Sequence, residues 1–393
     1  MLGLIIDGLS LLAGLTASTN TGTLCDRRAG QFTALPDQLI MKGQQMDAAR
    51  RLRLIVMMLL AILLALAVLL SLAFGAVMIS LDDTFSVLAG MVFPVEGAVE
   101  AQLIIEQIRI PRTLMGLLVG ATLALTGAAM QGLFRNPLAD PGLIGVSSGA
   151  ALGVALVLVL GAPWLTLMSD ALLPYATVLG AFIGGALTTW LVYRLGQSVQ
   201  GTSVANMLLA GIAIAAISGA FIGLLSYLAD DAMLRTLVFW NMGSLGSASF
   251  ERAGMLAICC ALVWWRLPFQ AKALNALLLG ESEARHLGID VERVKRELVL
   301  LTALGVGACV AAAGLIGFVG LVVPHLVRLM LGADHRYVLP ASMVMGAALL
   351  LLADVAARLV VAPAELPLGI LTALLGAPFF LALLLRAQRS GGV

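Results

Sequence analysis

The sequence predicts an all-α polytopic membrane protein with ten transmembrane helices, and three observations support this fold class. Apolar residues make up 61% of the 393 residues and charged residues 11%, whereas soluble domains are about half apolar and about one quarter charged. The apolar residues form continuous runs of about 20, enough to cross roughly 30 Å of hydrocarbon, without the period-two alternation of a membrane β-barrel. Basic residues cluster in alternate loops. A soluble enzyme, a disordered protein and a nucleic-acid binder are excluded.

Ten apolar runs account for most of the chain, and most of them reach the length of a span. The run at 253–268 is short, and the stretch 298–332 could form one long helix or two short ones. Gly314, Gly317, Gly320 and Pro324 offer places to interrupt a single helix. With two helices there, the predicted spans are residues 54–79, 113–133, 143–162, 174–195, 204–228, 253–268, 298–314, 315–332, 338–361 and 367–386.

The distribution of basic residues supports ten crossings with both termini in the cytoplasm. A single crossing over 298–332 would move Arg336, Arg386 and Arg389 to the outside. With ten crossings, all but five of the 23 basic residues lie on the inside; the five outside residues are Arg109, Arg112, Arg235, Arg252 and Arg358. The net charge of +1 by itself favours no class of partner.

Residues 1–50 do not follow this pattern, so we treat them as an N-terminal extension to a membrane domain at 51–393. The first eighteen residues are apolar, but they contain Asp7 and lack a basic n-region, which makes a poor signal peptide and a poor span. We expect this extension to be a disordered tail or the product of a misassigned start codon, with Met41 and Met46 as alternative starts.

Glycine is abundant, with 42 residues, and several glycines recur at a spacing of four. Small residues at this spacing let two helix backbones approach closely within a membrane. We therefore expect helix–helix contacts at the sets Gly116 and Gly120; Gly145, Gly149 and Gly153; Gly180 and Gly184; and Gly219 and Gly223.

Neither a catalytic constellation nor a metal-site pattern is found in the sequence. Cys25, Cys259, Cys260 and Cys309 lack the spacing of a metal or redox site, and no phosphate-binding loop precedes any lysine. We expect a structural position for His325 at a helix boundary, and solvated positions for His286 and His335 in basic loops. We therefore expect no metal, no cofactor and no ATP hydrolysis in this chain, so active transport would take its energy from an ion gradient or from another subunit.

Ion-coupled carriers place carboxylates within their spans, and here the predicted spans contain almost none. Asp354 is the main exception, and Arg358 follows it at i+4, a spacing that suits a local ion pair. A proton site at Asp354 is the alternative interpretation.

The loop 269–297 is amphipathic and predicts short helices on the cytoplasmic side. Glu281 with Arg285, and Glu292 with Arg296, are spaced at i, i+4, Gly288 suits a helix end, and Leu277, Leu278, Leu287 and Ile289 supply an apolar face. Such a segment is either an interfacial helix on the membrane or a docking surface for a cytoplasmic partner.

On the outer side, Arg109, Arg112 and Arg358 are either interfacial side chains or partners for acidic residues of an extracytoplasmic protein.

Four segments resemble the iron-chelate and vitamin B12 ABC importer permeases of the FecCD type, and the match runs from about residue 53 to 388. These segments are RIPRTLMGLLVGATLALTGAAMQGLFRNPLADPGLIGVSSGAALG, LGESEARHLGI, GLIGFVGLVVPHLVRLMLGADHR and LLLADVAARLVVAPAELPLGILTALLGAPFF. The resemblance implies the type II ABC importer permease fold, with ten spans per subunit and a homodimer whose pathway lies on the two-fold axis. It also implies a location in the bacterial inner membrane.

The resemblance further implies partners and site residues. Two cytoplasmic ATPase subunits would bind ATP and Mg and dock on coupling helices at about 274–297, with the motif residues Gly280, Glu281, Ala284, Arg285, Leu287 and Gly288. A periplasmic substrate-binding protein would dock on Arg109, Arg112 and Arg358. Asn136, Thr202 and Ser203 fall where relatives form cytoplasmic gates.

The stretch LLSYLADDAMLRTLVFWNMGSLGSAS is most similar to heme permeases, so the expected substrate is heme, moved from periplasm to cytoplasm. A smooth, weakly binding pathway suits such a substrate better than a strong histidine ligand. The alternatives are the same machinery importing a ferric siderophore or vitamin B12, and, from a different class, an ion-coupled secondary transporter. A non-transporting membrane scaffold would tolerate the loss of Glu281 and Arg285.

Overall fold

A computed structural model of the chain describes residues 34–75, 77, 79–90, 99–161, 164, 172–198 and 201–389. The described part is almost entirely helical. Its helices are α1 (Ala34–Ala73), α2 (Leu81–Gly90), α3 (Val99–Leu133, with a π-helical turn at Ile105–Arg109), α4 (Val146–Gly161), α5 (Leu172–Gly196), α6 (Val204–Leu228), α7 (Asp231–Asn241), α8 (Phe250–Arg266), α9 (Ala271–Leu277), α10 (Glu281–His286), α11 (Val291–Ala313), α12 (Val319–Leu331), α13 (His335–Leu359) and α14 (Leu368–Arg389).

Shorter elements complete the description. Two 3₁₀ turns span Pro141–Ile144 and Leu267–Gln270, and the strands β1 (Gln197–Ser198) and β2 (Gly201–Thr202) pair antiparallel. The helix α1 begins at Ala34, so it includes seventeen residues of the segment that the sequence analysis assigned to the N-terminal extension. The expectations for residues 1–33 lie outside the described residues.

An apolar helix occupies the position of each of the ten predicted spans. Seven of these helices in the described part are long and apolar enough to cross a membrane, and three are shorter, at Val146–Gly161, Val319–Leu331 and Leu368–Ala382. The all-α membrane fold is therefore confirmed, and the ten helices are consistent with ten crossings.

The stretch 298–332 forms two helices, α11 and α12, as the sequence predicts. The break lies at residues 314–318, where Gly314 and Phe318 both adopt positive φ angles of 72° and 67°. Pro324 was expected to contribute to the break, and this was wrong because Pro324 lies inside α12. The proline leaves the carbonyl of Gly320 without its helical donor, and the Gln131 side chain of α3 donates to that carbonyl at 3.3 Å.

The helix α3 lies at the centre of the fold and is buried along nearly its whole length from Pro111. It packs along α13, and the backbones meet at Gly120 and Gly346, where a Cβ on Gly120 would overlap the Gly346 carbonyl. Likewise α4 packs closely on α5 through Gly153 and Gly180. The expected close packing is thus confirmed for these sets.

Gly219 and Gly223 behave differently from the other glycine pairs. A Cβ at either position would meet nothing within 4 Å, so the expected helix contact is absent among the described residues. Their helix α6 carries many exposed apolar side chains, among them Leu209, Ile212 and Tyr227.

Candidate functional site

Three arginines that sequence analysis assigned to the outer surface are buried together with Asp354, and the partly exposed Glu365 lies at the edge of the group. We refer to Arg109, Arg112, Asp354, Arg358 and Glu365 as the arginine cluster. Arg112 on α3 contacts Asp354 on α13 through Nε at 3.1 Å and Nη2 at 2.9 Å, and its Nη1 donates to Glu365 at 2.8 Å. Arg358 Nη2 lies 3.0 Å from the second oxygen of Asp354. Asp354 is completely buried and is neutralised from both sides.

The same cluster holds the C-terminus of α1, where the last carbonyl groups lack helical donors. Arg109 donates to the carbonyls of Leu72 at 2.5 Å and Ala73 at 2.6 Å. Arg358 donates to the carbonyl of Ser71 at 3.3 Å and to its hydroxyl at 3.2 Å. Cations are favoured at a helix C-terminus because its carbonyls carry partial negative charge. The arginine cluster thereby joins α1, α3 and α13.

These positions differ from the surface location that the sequence led us to expect. Arg109, Arg112 and Arg358 are only 3%, 7% and 4% exposed. They are buried because the carbonyl groups at the end of α1 need hydrogen-bond donors and the buried carboxylate of Asp354 needs cationic partners. Direct docking of a binding protein on these side chains remains a prediction. The Asp354–Arg358 ion pair is confirmed, but no local pattern indicates the partner Arg112, which lies 242 positions from Asp354.

The first predicted gate residue, Asn136, lies in the exposed turn after α3. Arg135 ends the helix with a φ of 50°, and the Asn136 side chain accepts the N–H of Leu138 at 2.9 Å. Beside this turn lies a narrow apolar crevice lined by Pro137, Leu138, Leu321, Val322, His325, Phe379 and Phe380. The turn therefore lies beside α12 and α14.

Of the other two predicted gate residues, Thr202 ends β2 and Ser203 lies between β2 and α6. Ser203 caps α6 by accepting the N–H of Asn206 at 3.3 Å. Thr202 is 4% exposed. A 3₁₀ turn (Pro141–Ile144) that follows the Asn136 turn packs on α6, where a Cβ on Gly211 would overlap the carbonyl of Leu143. The two predicted gate segments are thus connected through this turn.

The predicted coupling motif forms the short helix α10 between two glycines with positive φ. Gly280 precedes the helix with a φ of 125°, and Gly288 follows it with a φ of 81°. Ala284 is the residue that α10 buries against the fold, while Leu287 and the neighbouring Leu279 are exposed. An apolar surface beside a buried contact suits the docking of a partner.

Around α10 the structure differs from the sequence prediction in two details. Leu277 is buried and does not belong to the exposed apolar face. Glu281 and Arg285 form the predicted pair at 3.7 Å, but Glu292 pairs with Lys295 at 3.4 Å and not with Arg296.

Lys295 is the residue of this region that sequence reasoning missed. Its Nζ lies 2.8 Å from Glu281, 3.4 Å from Glu292 and 2.6 Å from the carbonyl of Thr202. We refer to Lys295, Glu281, Glu292 and Arg285 as the lysine cluster. The i, i+3 spacing of Glu292 and Lys295 is visible in the sequence, whereas the contact with Thr202 requires the fold.

His335 was expected to be solvated, and this was wrong because α9 covers it. It is completely buried at the start of α13, and its N–H and Nδ1 both lie 2.9 Å from the side-chain oxygen of Asn275. Asp334 precedes it. Burial acts to raise the pKa of Asp334, but the N–H of Arg336, the Asn275 amide and nearby cations outweigh this effect and lower the pKa.

His286 is exposed as expected. His325 lies inside α12 and not at a helix boundary as expected, and it packs edge-on against Phe379 with ring centroids 6.3 Å apart. Among the described residues, no group of three His, Cys, Asp or Glu residues could hold a metal ion. Cys259, Cys260 and Cys309 are free thiols, and the expectation for Cys25 lies outside the described residues.

Comparisons with known proteins agree with this membrane architecture. The model of the FecCD transport family matches residues 62–386. The chain is 49% identical to the hemin transport system permease protein of Yersinia pestis over 72% of this chain and 84% of that protein. It is 42% identical to the vitamin B12 import system permease protein of Shigella boydii serotype 18 over 89% of this chain and 99% of that protein.

A solved structure shares the fold. It is described as an inward-facing conformation of a metal-chelate type ABC transporter, and it superposes with a TM-score of 0.72 at 34% identity, covering 83% of this chain and 97% of that one. The all-helical membrane architecture, the family segments and this superposition agree with one another. The chain belongs to the FecCD transport family.

Proposed function

We propose that the chain is the membrane subunit of an ABC importer that moves heme from the periplasm to the cytoplasm across the bacterial inner membrane. The observation that carries this proposal is the match to the FecCD family together with 49% identity to a hemin permease. In this proposal, both termini are cytoplasmic, and the arrangement follows from the distribution of basic residues.

The substrate proposal draws on the segment from the end of α6 to α8, which resembles heme permeases in sequence. Its exposed side chains include Tyr227, Leu234 and Phe239, a surface that suits a large, flat, apolar substrate. Two adjacent acidic residues of this segment, Asp230 and Asp231, precede or begin α7, and Asp230 caps this helix by accepting the N–H of Met233 at 2.7 Å. A ferric siderophore or a corrinoid carried by the same machinery is the alternative.

Energy comes from two separate ATPase subunits that bind ATP and Mg, and this chain carries no cofactor of its own. The support is the exposed apolar surface of Leu278, Leu279 and Leu287 around α10. The ion-coupled alternative would use a buried carboxylate as a proton site, and the buried Asp354 is held by two arginines. Both oxygens of Asp354 are therefore engaged in ion pairs within the fold.

A homodimer is proposed because α6 presents an unpartnered apolar surface around Gly219 and Gly223. Small residues among large apolar ones allow two helices to approach closely in a membrane. The expected result of light scattering in detergent is a protein mass about twice the 40.8 kDa of one chain. A mass of one chain would contradict the dimer.

The uptake experiment uses proteoliposomes that contain the chain with its cognate ATPase and its binding protein. Heme is supplied outside, with and without ATP inside, and then together with siderophore or corrinoid competitors. ATP-dependent heme uptake that the competitors leave unchanged is the expected result. ATP-driven uptake of a competitor without heme uptake would overturn the substrate, and uptake abolished by an uncoupler but independent of the ATPase would overturn the class.

A further inference from the structure

Lys295 is a buried cation in the second turn of α11. Its ammonium group donates hydrogen bonds to acceptors on three different segments. Its side chain is 3% exposed. The ammonium group has three hydrogens, and the structure provides three acceptors: Glu281 on α10, Glu292 on α11 and the carbonyl of Thr202 on β2. An isolated lysine at this depth would be strongly unfavourable, so its partners determine its position.

Thr202 is held on both of its backbone groups by the lysine cluster. Its carbonyl accepts from Lys295 at 2.6 Å, and its N–H donates to Glu292 at 2.9 Å. The contact also constrains the preceding residue, because a Cβ on Gly201 would lie 2.7 Å from the Glu292 carboxylate. The backbone of the segment before α6 is therefore bound by two side chains of α11, those of Lys295 and Glu292.

The charges of the cluster balance, with Lys295 and Arg285 opposite Glu281 and Glu292. The distribution of burial is uneven: Lys295 is buried, whereas the side chains of Glu281 and Glu292 are 33% and 40% exposed and that of Arg285 is 52% exposed. If α10 moves away, Lys295 loses Glu281 and becomes a buried cation with one carboxylate fewer. Breaking the ion pair between Lys295 and Glu281 costs free energy because Lys295 is buried. When α10 moves, Lys295 is therefore expected to move with Glu281 and to draw Thr202 along.

We infer that Lys295 is a positioning residue that transmits movement of the coupling helix α10 to the segment Gly201–Ser203 at the start of α6. This inference rests on the proposed function, in which α10 contacts the ATPase and Thr202 and Ser203 belong to the cytoplasmic gate. It adds the physical connection between the two: one ammonium group that binds a side chain of the first and a backbone carbonyl of the second.

The test compares Lys295→Met with the wild-type chain in the full complex with ATPase and binding protein in proteoliposomes. Methionine keeps the length of the side chain and removes the charge and the donors. ATP hydrolysis and substrate uptake are measured on the same vesicles. We expect uptake per ATP hydrolysed to fall about tenfold, within the range of roughly 2- to 30-fold that changes in a coupling network produce, while ATP hydrolysis persists.

Two controls separate transmission from a merely structural role. Lys295→Arg keeps a cation with donors, and it should restore most of the uptake per ATP. Lys272→Met removes an exposed lysine of the neighbouring α9, and it should leave the ratio unchanged. A link that only stabilised the fold would lower ATP hydrolysis and uptake together with the amount of folded complex, without changing their ratio.

If Lys295→Met fails to assemble, the double variant with Lys295→Met and Glu281→Gln removes both charges of the link and leaves the net charge of the lysine cluster unchanged. The same loss of uptake per ATP is expected. An unchanged ratio in either assembled variant would overturn the inference while leaving the proposed function intact. Absence of ATP-driven uptake by the wild-type chain would instead overturn the proposed function.

Discussion

The arginine cluster and the lysine cluster are both networks of opposite charges, but they are enclosed to different degrees. In the arginine cluster, every arginine and Asp354 is buried, and the partners lie on three long helices. In the lysine cluster, only Lys295 is buried, and its carboxylate partners remain partly exposed next to a six-residue helix. A network with nearly all of its members buried, all except Glu365 in the arginine cluster, holds helices in fixed positions, whereas a network with mostly exposed members can join segments that move.

The largest expected effect comes from Asp354→Asn, which leaves Arg112 and Arg358 without their buried carboxylate. Breaking a buried ion pair from one side costs about 3–5 kcal/mol, so thermal unfolding in detergent should shift strongly to lower temperature. Glu365→Gln is the matched control, because the Glu365 side chain is 36% exposed and its pair should contribute no more than about 1 kcal/mol. Equal stability of the Asp354→Asn variant and the wild type would remove the distinction between the two clusters.

Gly120→Ala should have the next largest effect, since it disturbs the contact between the same two helices that carry Arg112 and Asp354. A methyl group on Gly120 would overlap the carbonyl of Gly346, and overpacking of this kind costs about 1–3 kcal/mol. Gly254→Ala on α8 is the control, because a Cβ there meets nothing within 4 Å and alanine favours a helix by up to about 1 kcal/mol. If both variants unfold at the same temperature, the close approach of α3 and α13 does not contribute to stability.

In the lysine cluster, the double variant Glu281→Ala with Arg285→Ala removes the exposed Glu281–Arg285 pair, which contributes less than about 1 kcal/mol. It also takes one of two carboxylates from the buried Lys295, so stability should fall, but by less than in Asp354→Asn. Its effect should appear in transport, where we expect ATP hydrolysis to continue with reduced uptake. Simultaneous assays of hydrolysis and uptake measure this. Normal uptake per ATP would show that α10 is not the coupling site.

The smallest expected effect concerns docking of the binding protein. Charge reversal of Arg109 and Arg112 would disrupt buried contacts, so it cannot isolate docking from folding. Glu365→Gln removes the half-exposed carboxylate that competes for Arg112. If the binding protein offers carboxylates to Arg112, affinity should rise a few-fold at low salt and less at high salt. Unchanged affinity at both salt concentrations would contradict docking at Arg112.

Sequence patterns that are local in the chain predicted the structure well. Continuous apolar runs gave the positions of the ten helices, Gly314 marked the break between α11 and α12, and the i, i+4 spacing gave the Asp354–Arg358 and Glu281–Arg285 pairs. These features depend on neighbouring residues of one helix, so their physical cause is contained in a short stretch of sequence.

Contacts between distant segments were not predictable in the same way. Arg112 meets Asp354, and Lys295 meets Thr202, only because several helices pack together. His335 appeared to be a solvated loop residue, but α9 folds over it. A charged residue in a largely apolar stretch signals that a partner exists elsewhere, yet the identity of that partner requires the fold.

The most direct test measures stability and coupling on the same preparations of Asp354→Asn and Lys295→Met. We predict that Asp354→Asn lowers the unfolding temperature, while the protein that remains folded keeps the wild-type uptake per ATP hydrolysed. Lys295→Met should lower uptake per ATP in assembled, folded complex. The opposite pattern, with coupling lost in Asp354→Asn and unchanged in Lys295→Met, would contradict the assignment of a structural role to the arginine cluster and a transmitting role to the lysine cluster.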